Sequence, residues 1–166
     1  MTGVQTCALP IFWRNAVHAQ LGAALERIAT AGDDANVEGE DLTFSTVGNP
    51  AYNSRRDVAF RSFISNGWDG IWRTVADEPM PLILENQPAP GSDIDGDGVD
   101  DLIFNVILNG HPVVNAQGQV AFKNPARRID PPASRWGIWI TEGKGEDRQL
   151  RLVALAGHPA PGYDNG

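Results

Sequence analysis

The sequence predicts an all-β fold of tandem four-stranded units, and three observations carry that prediction. First, landmarks recur in one order. Asp41-Leu42-Thr43-Phe44 is answered by Asp101-Leu102-Ile103-Phe104. Asn53-Ser-Arg-Arg56-Asp-Val-Ala59-Phe60 is answered 62 residues on by Asn115-Ala-Gln-Gly118-Gln-Val-Ala121-Phe122. Gly70-Ile71-Trp72 returns as Gly137-Ile138-Trp139, and Gln87-Pro88-Ala89-Pro90-Gly91 as His158-Pro159-Ala160-Pro161-Gly162. Phe12-Trp13 and Asp33-Asp34-Ala35 read as earlier, degenerate copies of the last two. Second, the apolar residues come in short runs rich in Val, Ile, Phe and Trp. Gly, Pro and Asn bound those runs, which is the signature of strands and turns. Third, the interval between copies matches a unit of four short strands, and periods of tens of residues set a whole fold.

Such a unit cannot bury both faces alone, so it must stack on its neighbours. Four strands per unit suit a partial β-propeller-like arrangement better than the short coils of a β-helix. In the unit from Asp101 the expected strands are Leu102–Leu108, Gln119–Lys123, Gly137–Thr141 and Leu150–Ala156. Asn115 and Gly118 supply a hairpin turn, because both residue types tolerate positive φ. Arg56 stands where that glycine is expected, so its turn must be of another type or mildly strained. Pro-Ala-Pro-Gly withholds backbone donors and ends the fourth strand.

In chain order, residues 1–11 do not fit the repeat. They match, residue for residue, the translation of a common sequencing adapter with GTG read as the start codon, and are expected to be non-native. Cys7, the only cysteine of the chain, lies there, so the rest has neither disulfides nor thiolate chemistry. Residues 12–36 read as the second half of a unit. Ala16–Ala31 has helical spacing at Leu21, Leu25 and Ile28. The interval from Trp13 to Gly32, however, nearly equals that from Trp139 to Gly157, which favours strands at Phe12–Asn15 and Arg27–Thr30. Residues 37–91 form the first complete unit, 92–162 the second, and 163–166 the start of another, so the chain is expected to be a piece of a longer protein. No run of 18 apolar residues occurs, so no membrane span is expected. A net charge of −8 without a basic patch argues against nucleic acid as a partner.

One stretch carries chemistry. In Ser92-Asp93-Ile-Asp95-Gly-Asp97-Gly98-Val99-Asp100-Asp101, the residues Asp93, Asp95, Asp97 and Asp101 take positions 1, 3, 5 and 9 of a loop. Gly98 permits the sharp turn, and the Val99 carbonyl adds an oxygen. Two carboxylates about 4 Å apart repel by roughly 4 kcal/mol at an effective dielectric near 20, so converging acids want a counter-ion. Calcium fits a many-oxygen loop better than magnesium and would be structural. Phe104 stands where an EF-hand places its bidentate glutamate, and no helix flanks the loop. Asp100 is expected to point outward, and no equivalent site is expected around Asp41.

Other candidates carry less. His18, His111 and His158 lack ligand partners at metal spacing, and Ser45, Ser54, Ser62, Ser65 and Ser134 lack nucleophile-elbow glycines. Glu38 and Glu40 sit in a polar loop. Trp13, Trp72 and Trp139 recur once per unit and are expected in the core. Trp68 and Trp136 are the better candidates for stacking on a ligand.

The acidic loop resembles the calcium loops at strand turns of integrin-type propellers. The combined pattern of Asn115, Gly118, Ala121 and Phe122 with Gly137-Ile138-Trp139 and Pro159-Ala160-Pro161-Gly162 resembles the bacterial tandem-repeat family named for Asn-x-x-Gly-x-x-Ala-Phe. The strand pattern is also similar to blades of TolB-type propellers. These resemblances imply an exported or cell-surface bacterial protein with no established activity. The expected function is non-catalytic binding or scaffolding, with a surface protein or glycan as partner. A propeller hydrolase or lyase with its active site elsewhere, or a purely structural stalk, are the alternatives.

Overall fold

The computed structural model describes residues 16–21, 24–105, 111–128, 132–143 and 148–159. These form eleven strands in antiparallel sheets, with no helix among the described residues. A hairpin joins β1 (Ala16–Leu21) to β2 (Ala24–Thr30). A four-stranded meander follows: β3 (Phe44–Tyr52), β4 (Val58–Ile64), β5 (Asp69–Val75) and β6 (Glu78–Leu84). The last sheet runs β7, β9, β10, β11, with β8 also on β9. Its strands are β7 (Ile103–Phe104), β8 (Val113–Val114), β9 (Val120–Arg128), β10 (Ala133–Glu142) and β11 (Gln149–Leu155).

Two expectations change here. The strand expected over Leu102–Leu108 is Ile103–Phe104, with Val113–Val114 pairing further along β9; residues 106–110 lie outside the described set. β9 does not stop at Lys123 but continues through Pro125 to Arg128, because its far half has Ile103 and Phe104 as partners.

The stretch that could be read as helix, Ala16–Ala31, is strand over Ala16–Leu21 and Ala24–Thr30. Phe12–Asn15, expected as its first strand, lies outside the described residues, as do residues 1–11. The strand paired with β2 is Ala16–Leu21, and its register identifies the matching position. A bulge falls between Val17 and His18, as it does between Ile71 and Trp72 and between Ile138 and Trp139. His18, not Trp13, is therefore level with the two tryptophans. The interval from His18 to Gly32 equals that from Trp72 to Asn86, a spacing obscured by the longer β10–β11 hairpin.

The two larger sheets carry the same aromatic cluster on their front faces. Phe44, Phe60 and Trp72 have ring centroids 5.7, 5.1 and 6.3 Å apart; Phe104, Phe122 and Trp139 give 6.2, 5.0 and 6.1 Å. Phe60 pairs with Trp72 across strands, as Phe122 does with Trp139. Each indole N–H donates to a carbonyl of the preceding junction, Trp72 to Ala35 at 2.9 Å and Trp139 to Pro90 at 3.1 Å. Glycine precedes each tryptophan by two residues because same-face neighbours meet in a strand. A Cβ on Gly137 would lie 2.2 Å from the Trp139 ring, and one on Gly70 would lie 2.9 Å from that of Trp72.

Stacking buries these faces in two clusters. Ala29 and Ala35 join Phe44, Phe60, Trp72, Val58 and Ile64. Ala59, Ile71 and Ile83, on the rear of the first large sheet, join Leu102, Phe104, Phe122 and Trp139 of the second. At about 25 cal/mol per Å² of apolar area removed from water, this burial is the main favourable contribution to folding.

The asparagine turns are alike as well. Asn53 Oδ1 accepts the N–H groups of Arg55 at 2.8 Å and Asp57 at 3.1 Å; Asn115 Oδ1 accepts those of Gln117 and Gln119, both at 2.9 Å. Arg56 takes φ +73° where Gly118 takes +74°, so the turn type is kept and the arginine is the strained variant. The turns also touch, since Asn53 Nδ2 donates to the Asn115 carbonyl at 2.7 Å.

Candidate functional site

The acidic loop lies where the first large sheet hands over to the second. β6 ends at Leu84, and residues 86–89 pair back against 102–104: Ala89 N–H donates to Leu102 O at 2.9 Å and Phe104 N–H to Gln87 O at 2.8 Å. Residues 93–101 are thus looped out from a closed neck. Ser92, almost fully buried, holds that neck; its Oγ accepts the Leu102 N–H at 3.1 Å and its carbonyl the Asp101 N–H at 3.2 Å.

Within the loop the short aspartate side chains fold onto neighbouring backbone donors, as Asx turns do. Asp93 takes Gly96 N–H at 2.7 Å and Gly98 N–H at 2.9 Å on its two oxygens. Gly96 and Gly98 have φ of +82° and +86°, a conformation that suits glycine. Asp95 accepts from Asp97 N–H at 3.3 Å, and Asp97 accepts from Val99 N–H at 2.8 Å. One carboxylate oxygen from each of Asp93, Asp95 and Asp101 falls within 4.8 Å of the others. Asp97, expected as a fourth ligand, lies outside that group, with its carboxylate on the Val99 amide. Val99 is exposed at the loop tip.

Two features were not foreseen. Asp100 does not point away: its Oδ1 accepts the Ser92 N–H at 2.8 Å and helps close the neck. Arg128, unmarked by any motif, forms an ion pair with Asp101. The pairing of Ile103 with Arg127 sets Arg128 beside the loop. Its signal was the pair Arg127-Arg128 after the apolar run, legible only once β9 extends that far. Asp101 Oδ2 also accepts the Ile94 N–H at 2.6 Å. That backbone bond, with Arg128, holds the Asp101 carboxyl below its ordinary 3.8, against the opposing effect of partial desolvation. The loop is therefore pre-folded around its acids, and Asp101 already shares a cation.

The other candidates separate clearly. Trp72 and Trp139 are core residues with no exposed surface. Trp68 and Trp136 are 44% and 40% exposed and are not equivalents: Trp136 is adjacent to its glycine and Trp68 two residues before its own. Ser62 is buried with its Oγ on the Thr46 carbonyl. His111 and His158 are exposed.

Fold and site together define an all-β chain of face-stacked antiparallel sheets with an acidic turn at one junction. Among the described residues no helix is long and apolar enough to cross a membrane. The chain belongs to a family of unknown function, DUF7453, which matches residues 8–166 and so takes in residues 8–11 of the segment read as adapter. No curated protein and no solved structure matches the chain significantly.

Proposed function

We propose that this chain is a non-catalytic binding or scaffolding module of an exported or cell-surface bacterial protein. Its four-stranded units stack face to face as in a β-propeller, and calcium at Asp93, Asp95 and Asp101 braces the turn between two of them. The observation that supports this most is the pairing of matched aromatic clusters with a carboxylate group at the junction. Such a module gains rigidity from the ion by the neutralising of converging acids, and presents sheet edges and loops to a partner. The Val99 carbonyl and Asp97 would complete the shell after a small rearrangement of the loop.

Calcium titration tests this. With affinity typical of extracellular modules, about 0.1–1 mM, about 10 mM calcium stabilises by roughly 1.4–2.7 kcal/mol. For a chain of this size that is a rise of about 3–11 °C in melting temperature. Asp95→Asn keeps the acceptor for the Asp97 amide and should remove most of the rise. No shift with calcium, measured by calorimetry after chelation and add-back, would end the metal reading.

A further inference from the structure

The two larger sheets differ in what covers their rear faces. On the first, Ala59, Ile71 and Ile83 are 0–1% exposed because the front of the second sheet lies on them. The strand registers put Ala121, Ile138 and Ala154 in the same three places on the second sheet. There Ile138 is 43% exposed, and the neighbouring Trp136 is 40% exposed. The polar residues beside them also correspond. Arg61 and Asp69, an ion pair at 2.7 Å with the aspartate fully buried, become Lys123 and Trp136, with the amine 4.5 Å from the ring centroid.

We propose that this rear face is a docking surface for a further antiparallel sheet of the same kind, one whose front carries a Phe-Phe-Trp cluster. The argument is continuity with an interface the molecule already contains. The same positions, on the same strands, are buried under such a cluster one sheet earlier. Its centre is apolar, and the Arg151–Glu142 ion pair at 2.6 Å lies toward one end, as a polar rim does. The Lys123 amine already occupies one face of the Trp136 ring, which favours a protein sheet over a stacked sugar. This rests on the stacked-unit reading above and is independent of calcium.

The test appends a second copy of residues 92–166 after Gly166, so that its Phe104, Phe122 and Trp139 can reach the face. Ile138→Cys is placed in the first copy only, with Cys7→Ser, and the rate of thiol alkylation is measured with and without chelator. At least a tenfold slowing in the extended chain, relative to the unextended one, is the expected result. Ile138→Glu should leave the melting temperature of the unextended chain unchanged and abolish the stability added by the extension. Equal alkylation rates in the two chains would overturn the proposal. So would protection of the unextended chain that grows with its own concentration, which assigns the face to self-association, or protection by added oligosaccharide.

Discussion

Replacing Gly137 by alanine adds one methyl group at the most crowded point of the second sheet. Its Cβ would lie 2.2 Å from Cη2 and 2.5 Å from Cζ3 of Trp139. The ring cannot withdraw. Phe104 meets it edge-on at 5.0 Å, Phe122 stacks on it at 6.1 Å, and its N–H is tied to Pro90. Overpacking of a filled core costs about 1–3 kcal/mol, and weakening the indole hydrogen bond adds about 0.5–1.5 kcal/mol. The better strand behaviour of alanine returns about 0.5–1 kcal/mol. A net loss of about 0.5–4 kcal/mol lowers the melting temperature by roughly 1–16 °C in a chain of this size. Thermal unfolding followed by near-ultraviolet circular dichroism reads both the temperature and the tryptophan environment. Ile138→Ala, one residue away on the open face, should change the stability by no more than about 0.5 kcal/mol. A Gly137→Ala protein melting at or above the wild-type temperature would refute the close-approach argument.

Further outcomes follow from the turns and the loop. Arg56→Gly should stabilise by up to about 1 kcal/mol, because a left-handed arginine is strained, whereas Gly118→Ala should destabilise, with its Cβ 2.5 Å from Asp57 Oδ2. Denaturant midpoints for the two variants should move in opposite directions. Asp101 has a lowered folded pKa, so its contribution to stability is present above the unfolded value of 3.8 and is lost as pH falls through the folded one. Asp101→Asn should therefore flatten the acid limb of stability against pH below about 4. An acid limb identical to wild type would show that the Ile94 and Arg128 bonds do not form in solution.

Much of the core was legible in the sequence, because tandem landmarks report equivalent environments. Phe60 and Phe122, or Trp72 and Trp139, could be matched before any geometry was known. What resisted reading was register. A bulge adds one residue to one strand and shifts every later partner, so the His18 position was hidden behind the more conspicuous Trp13. Likewise the expected strand ended at Lys123, while the pairing that carries β9 to Arg128 depends on Ile103 and Phe104, a segment distant in sequence. The acid spacing identified Asp93, Asp95 and Asp101 together, yet spacing alone could not distinguish Asp97 and Asp100. Local backbone conformation makes that choice: it turns the Asp97 carboxylate to the Val99 amide and the Asp100 carboxylate to that of Ser92, outside the group formed by the other three.

The bond from the Asn53 amide to the Asn115 carbonyl bears on how one layer is oriented over the next. Apolar faces tolerate sliding, since dispersion and water exclusion have little directional preference. A donor anchored in one rim and an acceptor in the other defines a single angular setting for the pair. Aspartate in that place would preserve the bend of its own chain but lose the clasp, leaving the angle between layers to the indole bond to Pro90 and the paired neck at the opposite rim.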